Sequence, residues 1–399
     1  MKLVFWLSLS GILYTYLGYP AWIWILSLLR PNNWRSADLT PSVSIVLAVH
    51  NGAGVLADKI KHLLNLDYPN IQEIVIVSDG STDGTAQLLA AMRHPRVRVR
   101  ILKEHQGKAA AINAGVAQAS GAVILFVDLR KQIAPGSIQH LVRSFADPRV
   151  GCVNGEVVLR SDNRRGATAA IGSLYWRYEK WLRACEARVD SLIGVDGGFY
   201  AIRRELFVPL PAGIILDDMF QPLSIIRQGY RVIVDREARV YDTWPAVTRD
   251  EFQRKVRTLA GNFQLMQLAP WTLTPRNRVF LQLISHKYMR LIVPYLLVLL
   301  QASSLMLFRG SPIYAAFAVL QLFFLVISIA ALRYRLPIID RAASAGSAIL
   351  VLNSAAVAGL YKFLFTSGPL WKIWHADLAA TRAPASQAEL LTPRKPART

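Results

Sequence analysis

The chain has 399 residues, 53% of them hydrophobic and 18% charged, and its formal net charge is +20. Average globular chains are about 45–50% apolar and about 25% charged, so this composition argues against a disordered chain and against a purely soluble enzyme. The two cysteines, Cys152 and Cys185, are too few for a disulfide scaffold or a multi-cysteine zinc site. The basic residues are scattered and match no nucleic-acid-binding motif. We therefore expect no nucleic-acid partner, and attribute the charge to contact with anionic lipid and a phosphorylated substrate.

An apolar segment opens the chain. The segment Leu3–Leu29 carries no charge and, at about 1.5 Å per residue, is long enough to cross a hydrocarbon core of about 30 Å. Tryptophan and tyrosine occur throughout it, which favours an uncleaved anchor over a signal peptide. Arg30 and Arg35 follow, so the positive-inside rule places the next residues in the cytoplasm. We expect residues 1–30 to form a transmembrane anchor.

Residues 31–275 have the composition of a soluble domain, in which strand and helix patterns alternate. Apolar β-branched runs predict strands, and apolar residues at helical spacing predict helices. In chain order the predicted elements are a strand Ser42–Val49, a helix Val55–Leu66, a strand Glu73–Val77, a helix from about Asp83, a strand Val97–Leu102, a helix Ala109–Ala119 and a strand Val123–Val127. This alternation predicts an α/β fold with a parallel sheet covered on both faces.

Polar residues follow several of these strands. His50 and Asn51 follow the first strand, Asp79 follows the second and Asp128 follows the fourth. Since ligands bind at the C-terminal ends of strands in such sheets, we expect these residues to converge on one site. The sequence lacks the glycine motifs of dehydrogenase nucleotide folds and phosphate-loop ATPases, which disfavours both classes.

An ordered series of motifs runs through this domain. It comprises residues 44–51, residues 75–83, residues 106–115, Asp128, residues 197–204, residues 216–218 and residues 254–257. The series resembles family 2 of the inverting glycosyltransferases, over about residues 42–265. The resemblance implies a GT-A fold, with a Rossmann-like, mostly parallel sheet, and a nucleotide-sugar donor, usually a UDP-sugar. Together with the flanking apolar segments, it implies the membrane-embedded branch that builds polysaccharides and glycolipids.

The resemblance implies a donor site at the strand ends. Asp79 matches the aspartate that hydrogen-bonds the base, and a carboxylate can accept the ring N–H of uracil. Asn51 and Lys108 match positions near the nucleotide. Lys108 could meet phosphate, although an exposed helix start is the alternative interpretation.

One motif departs from the family. Asp128 and Arg130 stand where the family has Asp-x-Asp, whose last aspartate holds Mg²⁺ or Mn²⁺. Two hypotheses follow from the arginine. Either a metal is held weakly through Asp128, or Arg130 and Lys131 partly replace it at the diphosphate.

The pair Asp217 and Asp218 matches the catalytic carboxylates of the family. Asp218 is implied to be the base that deprotonates the acceptor hydroxyl, because inverting transfer needs one carboxylate in that role. Two adjacent carboxylates also raise each other's pKa, which suits a base. The alternative is that the pair only caps the predicted helix Met219–Arg227.

On the acceptor side the resemblance implies a wall formed by Gly197, Gly198 and Tyr200, with the basic residues Arg254 and Arg257 nearby. Arg257 matches the arginine of the Gln-x-x-Arg-Trp segment of processive synthases. Thr258 replaces the tryptophan of that segment and cannot stack on a sugar, which favours addition of a single sugar. A basic helix face on lipid headgroups is the alternative for Arg254 and Arg257.

The C-terminal third is predicted to hold membrane segments. Residues 276–290 predict an interfacial helix, since Val279 and Leu283 share an apolar face flanked by basic residues. Residues 291–371 contain three apolar segments, Leu291–Phe308, Gly310–Leu332 and Ala342–Tyr361. The last segment either crosses the bilayer or re-enters near Asn353. Residues 372–399 predict a basic, disordered tail.

These features predict a membrane-bound inverting glycosyltransferase that acts on a lipid-linked or polysaccharide acceptor and is non-processive. The resemblance places it in a bacterial inner membrane with its catalytic domain in the cytoplasm, beside other polysaccharide-assembly proteins. One alternative is a processive synthase of the cellulose, chitin or hyaluronan type. Another is an inactive homologue that acts as a membrane scaffold. A transporter is disfavoured because the apolar segments hold no ionisable residue.

Overall fold

The structure is a computed structural model that describes residues 1–160, 167–243, 248–334, 340–366 and 368–370. An eight-stranded sheet forms its centre, in the order β3-β2-β1-β4-β7-β6-β8-β5. The strands are β1 (Val43–Val49), β2 (Ile71–Asp79), β3 (Val97–Leu102), β4 (Val123–Val127), β5 (Gln132–Ile133), β6 (Val150–Arg160), β7 (Phe199–Arg203) and β8 (Arg231–Thr243).

Helices cover both faces of this sheet and extend beyond it. They are α1 (Lys2–Leu13), α2 (Tyr19–Leu29), α3 (Ala53–Leu64), α4 (Thr85–Ala91), α5 (Lys108–Val116), α6 (Ser137–Arg143), α7 (Ala167–Val189), α8 (Asp217–Arg227), α9 (Thr248–Leu268), α10 (Phe280–Leu283), α11 (Met289–Met306), α12 (Pro312–Arg333) and α13 (Asp340–Phe365). Single π-helical turns join α1 to α2 and α10 to α11.

The first half of the sheet is parallel, as the alternation of elements predicts. Strands β3, β2, β1 and β4 pair in parallel, whereas β7 runs antiparallel to both β4 and β6. Alternate residues of β1 face opposite sides, so Val46 packs with α5 and α8 while Ile45 and Leu47 pack with α3 and α6. The result is the mostly parallel, mixed α/β sheet of a GT-A fold.

Among the described residues, four helical segments are long and apolar enough to cross a membrane. They are Lys2–Leu29, Phe280–Met306, Pro312–Ala331 and Gly346–Phe365. The expected arrangement of one N-terminal and three C-terminal candidate membrane helices is therefore confirmed. Asn353 lies inside α13, where its side-chain amide donates to the carbonyl of Ile349, so the alternative of a re-entrant turn at this residue is wrong.

The predicted interfacial helix at residues 276–290 differs from what the structure shows. Helix α10 begins at Phe280 and continues without a break into α11. Val279 and Leu283, the apolar face assigned to lipid, are fully buried in the core of the α/β domain. The amphipathic pattern correctly indicated an apolar partner, but that partner is the protein.

A cluster of buried polar side chains, here called the charged junction, joins three elements: α2 through Tyr19, α7 through Glu179 and Glu186, and the α10–α11 helix through His286 and Arg290. The Tyr19 hydroxyl donates to Glu186 at 2.5 Å. The two ring nitrogens of His286 lie 2.7 Å from Glu186 and 2.8 Å from Glu179. Arg290 donates to the other oxygen of Glu179 at 3.0 Å. Glu186 and His286 are almost wholly buried, so the junction fastens the N-terminal helix to the α/β domain.

Candidate active site

Lys108, the first residue of α5, stands at the centre of the cleft above the sheet. Its Nζ atom lies 3.3 Å from Oδ1 of Asp128 and 3.4 Å from Oδ2 of Asp217. It also donates to the carbonyl of Gly197 at 3.4 Å. Burial opposes the charged amine, but Asp128 and Asp217 together raise the pKa of Lys108 above its usual value. The structure thus joins the predicted donor and catalytic residues through one ammonium group.

Asp128 follows β4, and its backbone N–H donates to the carbonyl of Gly198 at 3.2 Å. The side chains of Lys108 and Asp128 are 41% and 43% exposed, so a ligand can reach both. Burial raises the pKa of Asp128, but the charges of Lys108 and Lys131 outweigh it and hold that pKa below the usual value. Asp128 therefore enters the cleft as a carboxylate.

Asp79 ends β2 and is almost fully buried. Its oxygens accept hydrogen bonds from the backbone N–H groups of Gln106 and Gly107, both at 2.8 Å, and lie 2.7 Å from Nδ1 of His105. Asp79 thus holds the loop that leads into α5 and Lys108. The ring of His105 stacks on His50, with centroids 3.7 Å apart, which gives the cleft an aromatic surface beside Asp79.

Asn51 adopts a left-handed backbone conformation with φ of 50°. Its side-chain oxygen accepts from the N–H of Thr82 at 2.8 Å, and its own N–H donates to Ser81 at 3.1 Å. Asparagine tolerates this conformation better than most residues, and here it ties the end of β1 to the turn after β2. The structure therefore gives Asn51 a role in shaping the predicted donor site.

Asp217 and Asp218 begin α8. The carbonyl of Asp218 accepts from the N–H of Val195 at 2.8 Å, which ties the start of this helix to the segment before Gly197. A Cβ atom on Gly197 would lie 3.4 Å from Oδ2 of Asp218, so glycine leaves that carboxylate accessible to a substrate. Lys108 and the glycine thus face the same pair of carboxylates.

The environment of Asp218 suits a base. Burial, and then the charge of Asp217, raise the pKa of Asp218 to about 7. Its Oδ1 atom is buried and accepts no hydrogen bond from the part of the chain that the structure describes. A carboxylate with a pKa near neutrality and an uncommitted oxygen is the arrangement that general base catalysis needs.

Arg257 lies on α9 and faces the same carboxylates. Burial lowers the pKa of Arg257, while the charges of Asp217 and Asp218 oppose that change. Arg254 lies one turn earlier, and its carbonyl accepts from the hydroxyl of Thr258 at 3.0 Å. Thr258 itself is exposed.

Tyr200 is the exception among the predicted site residues. Its side chain is 1% exposed in β7, and its ring stacks on Phe126 with centroids 4.7 Å apart. The prediction that Tyr200 lines the acceptor wall is therefore not retained, because the ring lies in the core beneath the carboxylates. Gly197 and Gly198 do border the cleft.

A second layer of charges supports the cleft from below, and Lys131 is the one member that was assigned a role from the sequence. Lys131 lies 3.2 Å from Asp242 and 3.6 Å from Asp196. The ammonium of Lys59, 1% exposed, donates to the carbonyl of Lys131, and burial lowers the pKa of Lys59 to about 7. A signal existed for two of these residues: Asp196 directly precedes Gly197, and Lys59 falls on the apolar face of a predicted helix.

The cleft offers a divalent cation few oxygen donors. Asp128 offers one exposed carboxylate, whereas Arg130 stands where the second would be. Arg130 makes no hydrogen bond or ion pair with other described residues. Mg²⁺ commonly binds one or two carboxylates together with substrate phosphates and water. The residues therefore fit a cation that enters with a diphosphate, and do not form a complete metal site alone.

Another group of side chains of the metal-ligating type lies near β8. His140, Asp235 and Glu237 bring ligand atoms within 4.8 Å of one another. Arg143 donates to both of these carboxylates, however. Asp235 and Glu237 stand in the bulge of β8 between Val234 and Arg239, and none of the contacts described for the cleft residues includes them.

Comparison with known proteins agrees with this geometry. The family described as glycosyl transferase family 2 matches residues 44–208, which hold β1 to β7 together with Asp79, Lys108 and Asp128. The chain is therefore similar to this family over residues 44–208, and the α8 carboxylates and three of the candidate membrane helices follow that region.

Curated relatives match part of the chain. Poly-beta-1,6-N-acetyl-D-glucosamine synthase of Staphylococcus aureus is 23% identical over 240 residues, which cover 58% of this chain and 57% of that protein. Beta-monoglucosyldiacylglycerol synthase of a Nostoc species is 33% identical over 131 residues, or 31% of this chain and 28% of that protein. The chain thus spans little more than half the length of the first relative.

A solved structure extends the likeness to most of the fold. A mannosyltransferase from Pyrobaculum calidifontis, in complex with GDP-Man and Mn²⁺, covers 91% of this chain and 99% of its own, with a TM-score of 0.63 and 21% identity. At that identity the likeness shows the fold, which includes helices outside the family 2 region.

Proposed function

We propose that this protein is a membrane-bound inverting glycosyltransferase that moves a sugar from a nucleotide-diphosphate sugar to a lipid-linked or polysaccharide acceptor. One observation carries the proposal. Asp218 is a half-buried carboxyl group with a raised pKa and an uncommitted oxygen, and it lies beside cations that could meet a diphosphate. A UDP-sugar is the donor we propose, because the His50–His105 stack beside Asp79 offers a nucleotide base a flat aromatic surface.

The residues of the cleft divide the chemistry between them. Oδ1 of Asp218 takes the proton of the acceptor hydroxyl as its oxygen forms a bond to the anomeric carbon. The bond from that carbon to the diphosphate oxygen breaks on the opposite face, which inverts the configuration. Lys108 and Arg130 meet the negative charge that develops on the departing diphosphate. Arg257 lies close to the base and orients the acceptor.

A divalent cation, Mg²⁺ or Mn²⁺, would be held by Asp128 together with the diphosphate. When bound, it would neutralise charge on the leaving group. Arg130 supplies a fixed positive charge at the neighbouring position, so this chain depends on the cation less strongly than a protein with two aspartates.

The acceptor reaches the cleft from the membrane side. Helix α9, with Arg254 and Arg257, packs against α13, one of the four candidate membrane helices. A lipid-linked acceptor held in the bilayer would therefore present its hydroxyl near Asp218. The bacterial inner membrane, with the domain in the cytoplasm, is the location we infer from the basic residues beside the apolar segments.

A processive synthase is the second candidate. The Staphylococcus aureus relative is named for a polymer, and the Nostoc relative is named for a glycolipid. Thr258 is exposed and small where a stacking tryptophan would hold a growing chain, which supports addition of a single sugar.

The test uses the full chain purified in detergent. We would supply labelled nucleotide sugars with lipid-phosphate and oligosaccharide acceptors, with and without Mn²⁺, and measure nucleotide release and product length. Asp218→Asn should abolish transfer and leave donor binding unchanged, while Asp58→Asn, an exposed aspartate on α3, should behave as wild type. A polymer product would favour the processive alternative. Failure to release nucleotide from any donor would support the scaffold alternative.

A further inference from the structure

Gln264 on α9 is hydrogen-bonded to the loop that leads into the proposed catalytic carboxylates. Its side-chain oxygen accepts from the N–H of Ile215 at 3.0 Å, and its nitrogen donates to the carbonyl of Gly213 at 3.0 Å. One amide thus makes two hydrogen bonds to backbone groups two residues apart. Gly213 has a φ of +71°, so the loop turns sharply where it is held. Asp217 begins α8 two residues after Ile215.

A close approach between α9 and the loop accompanies these hydrogen bonds. Gly261 lies one helical turn before Gln264, and a Cβ atom there would lie 2.8 Å from Cγ of Leu216 and 3.1 Å from Cβ of Ile215. Only glycine lets α9 lie this near the loop without displacing it. Leu216 is the N-cap residue of α8, and its carbonyl accepts from the N–H of Met219 at 3.2 Å. The position of Leu216 therefore sets the start of the helix that carries Asp218.

The opposite side of α9 rests on a candidate membrane helix. A Cβ atom on Gly359 of α13 would lie 3.0 Å from the backbone nitrogen of Ala260. The rings of Phe263 and Phe363 stack with centroids 5.9 Å apart. Residues 259–264 are thus held between α13 and the loop, so α9 cannot retreat from the loop without disturbing the membrane-facing helices.

From these contacts we propose that Gln264 is a positioning residue for the catalytic base, acting through the loop of residues 213–216. This inference rests on the proposed function, in which Asp218 removes the acceptor proton. A base must lie within hydrogen-bond reach of that proton, and a displacement of about 1 Å can cost about 100-fold in rate. Gln264 acts in this arrangement through the backbone of Gly213 and Ile215.

The test compares Gln264→Leu with Gln267→Leu in the full chain. Leucine is similar in size to glutamine but makes neither hydrogen bond, and Gln267 is exposed one turn further along α9. We expect Gln264→Leu to lower kcat by about 10- to 100-fold with an unchanged KM for the donor. Because the loosened loop exposes Asp218 to water, the acid limb of the kcat profile should move to lower pH. Gln267→Leu should match wild type in each measurement.

A second variant distinguishes the loss of positioning from general damage to the fold. Gly261→Ala leaves Gln264 in place but pushes a methyl group into the loop, and should produce the same fall in kcat and the same displacement of the acid limb. If the wild-type enzyme is active and either variant keeps its kcat and its acid limb, Gln264 is not a positioning residue. That outcome would leave the proposed function intact. A wild-type enzyme that transfers no sugar would overturn the proposed function on which it rests.

Discussion

The Nζ atom of Lys108 lies 3.4 Å from Oδ2 of Asp217, which links the loop before α5 to the start of α8. The lysine comes from the side of the cleft where the donor is proposed to bind, and the aspartate belongs to the proposed catalytic pair. A change at either residue should therefore affect both the leaving group and the base.

We expect Lys108→Met to lower kcat by about 100-fold, because the leaving diphosphate loses a charge-assisted partner. The same change should move the acid limb of the kcat profile to higher pH, since the lysine charge lowers the pKa of Asp218. The pH dependence of kcat measures both effects. Lys103→Met, at an exposed lysine before the same loop, is the control. An unchanged acid limb would show that the ammonium does not act on the base.

The raised pKa of Asp218 predicts the pH dependence of the wild-type enzyme. The group must be ionised to accept a proton, so kcat should fall as pH drops through about 7. Asp217→Asn removes the neighbouring negative charge and should displace the acid limb to lower pH. We would measure kcat between pH 5 and pH 9 for both proteins. A profile that stays flat below pH 7 would rule out Asp218 as the group that titrates.

Arg130 provides a test of metal dependence. Chelation with EDTA should lower the activity of the wild-type protein, and Mn²⁺ or Mg²⁺ should restore it. Arg130→Asp adds a second carboxylate beside Asp128, so we expect half-maximal activation at a roughly tenfold lower Mn²⁺ concentration. Titration of activity with Mn²⁺ after chelation measures this concentration. Full activity of the wild-type protein in EDTA would favour replacement of the metal by Arg130 and Lys131.

The strand limits were predicted accurately where turn residues lie at both ends of the strand pattern. The strands at Val97–Leu102 and Val123–Val127 have the predicted limits, because charged or glycine-containing turns stop each one. The sequence could not show that Val279 and Leu283 pack into the domain core, since an amphipathic pattern indicates an apolar partner without identifying it.

The candidate site was predictable only as far as its residues carry local motifs. Lys108, Asp128 and Asp217 come together as the strand ends and motif order indicate. The hydrogen bonds from Gln264 to the loop before α8 were not predictable, because their partners lie about 50 positions away in the sequence. No local motif links those partners to Gln264. Contacts of that kind depend on tertiary structure.

The charged junction predicts how the N-terminal helix is held. Glu186 is fully buried between Tyr19 and His286 and contacts both side chains. Burial raises the pKa of Glu179, but His286 and Arg290 outweigh it and hold that pKa well below its usual value. Replacing one partner leaves an uncompensated buried charge, so His286→Leu should destabilise the protein by about 3–5 kcal/mol.

Thermal unfolding in detergent measures this loss, with Glu205→Gln, at an exposed glutamate of the same domain, as the control. The double variant His286→Leu with Glu186→Gln should recover part of the stability, because it removes a buried negative charge together with its partner. Limited proteolysis should also cut the segment after α2 faster in His286→Leu, as Tyr19 loses a fixed acceptor. Equal unfolding temperatures for wild type and His286→Leu would show that apolar packing alone holds the N-terminal helix.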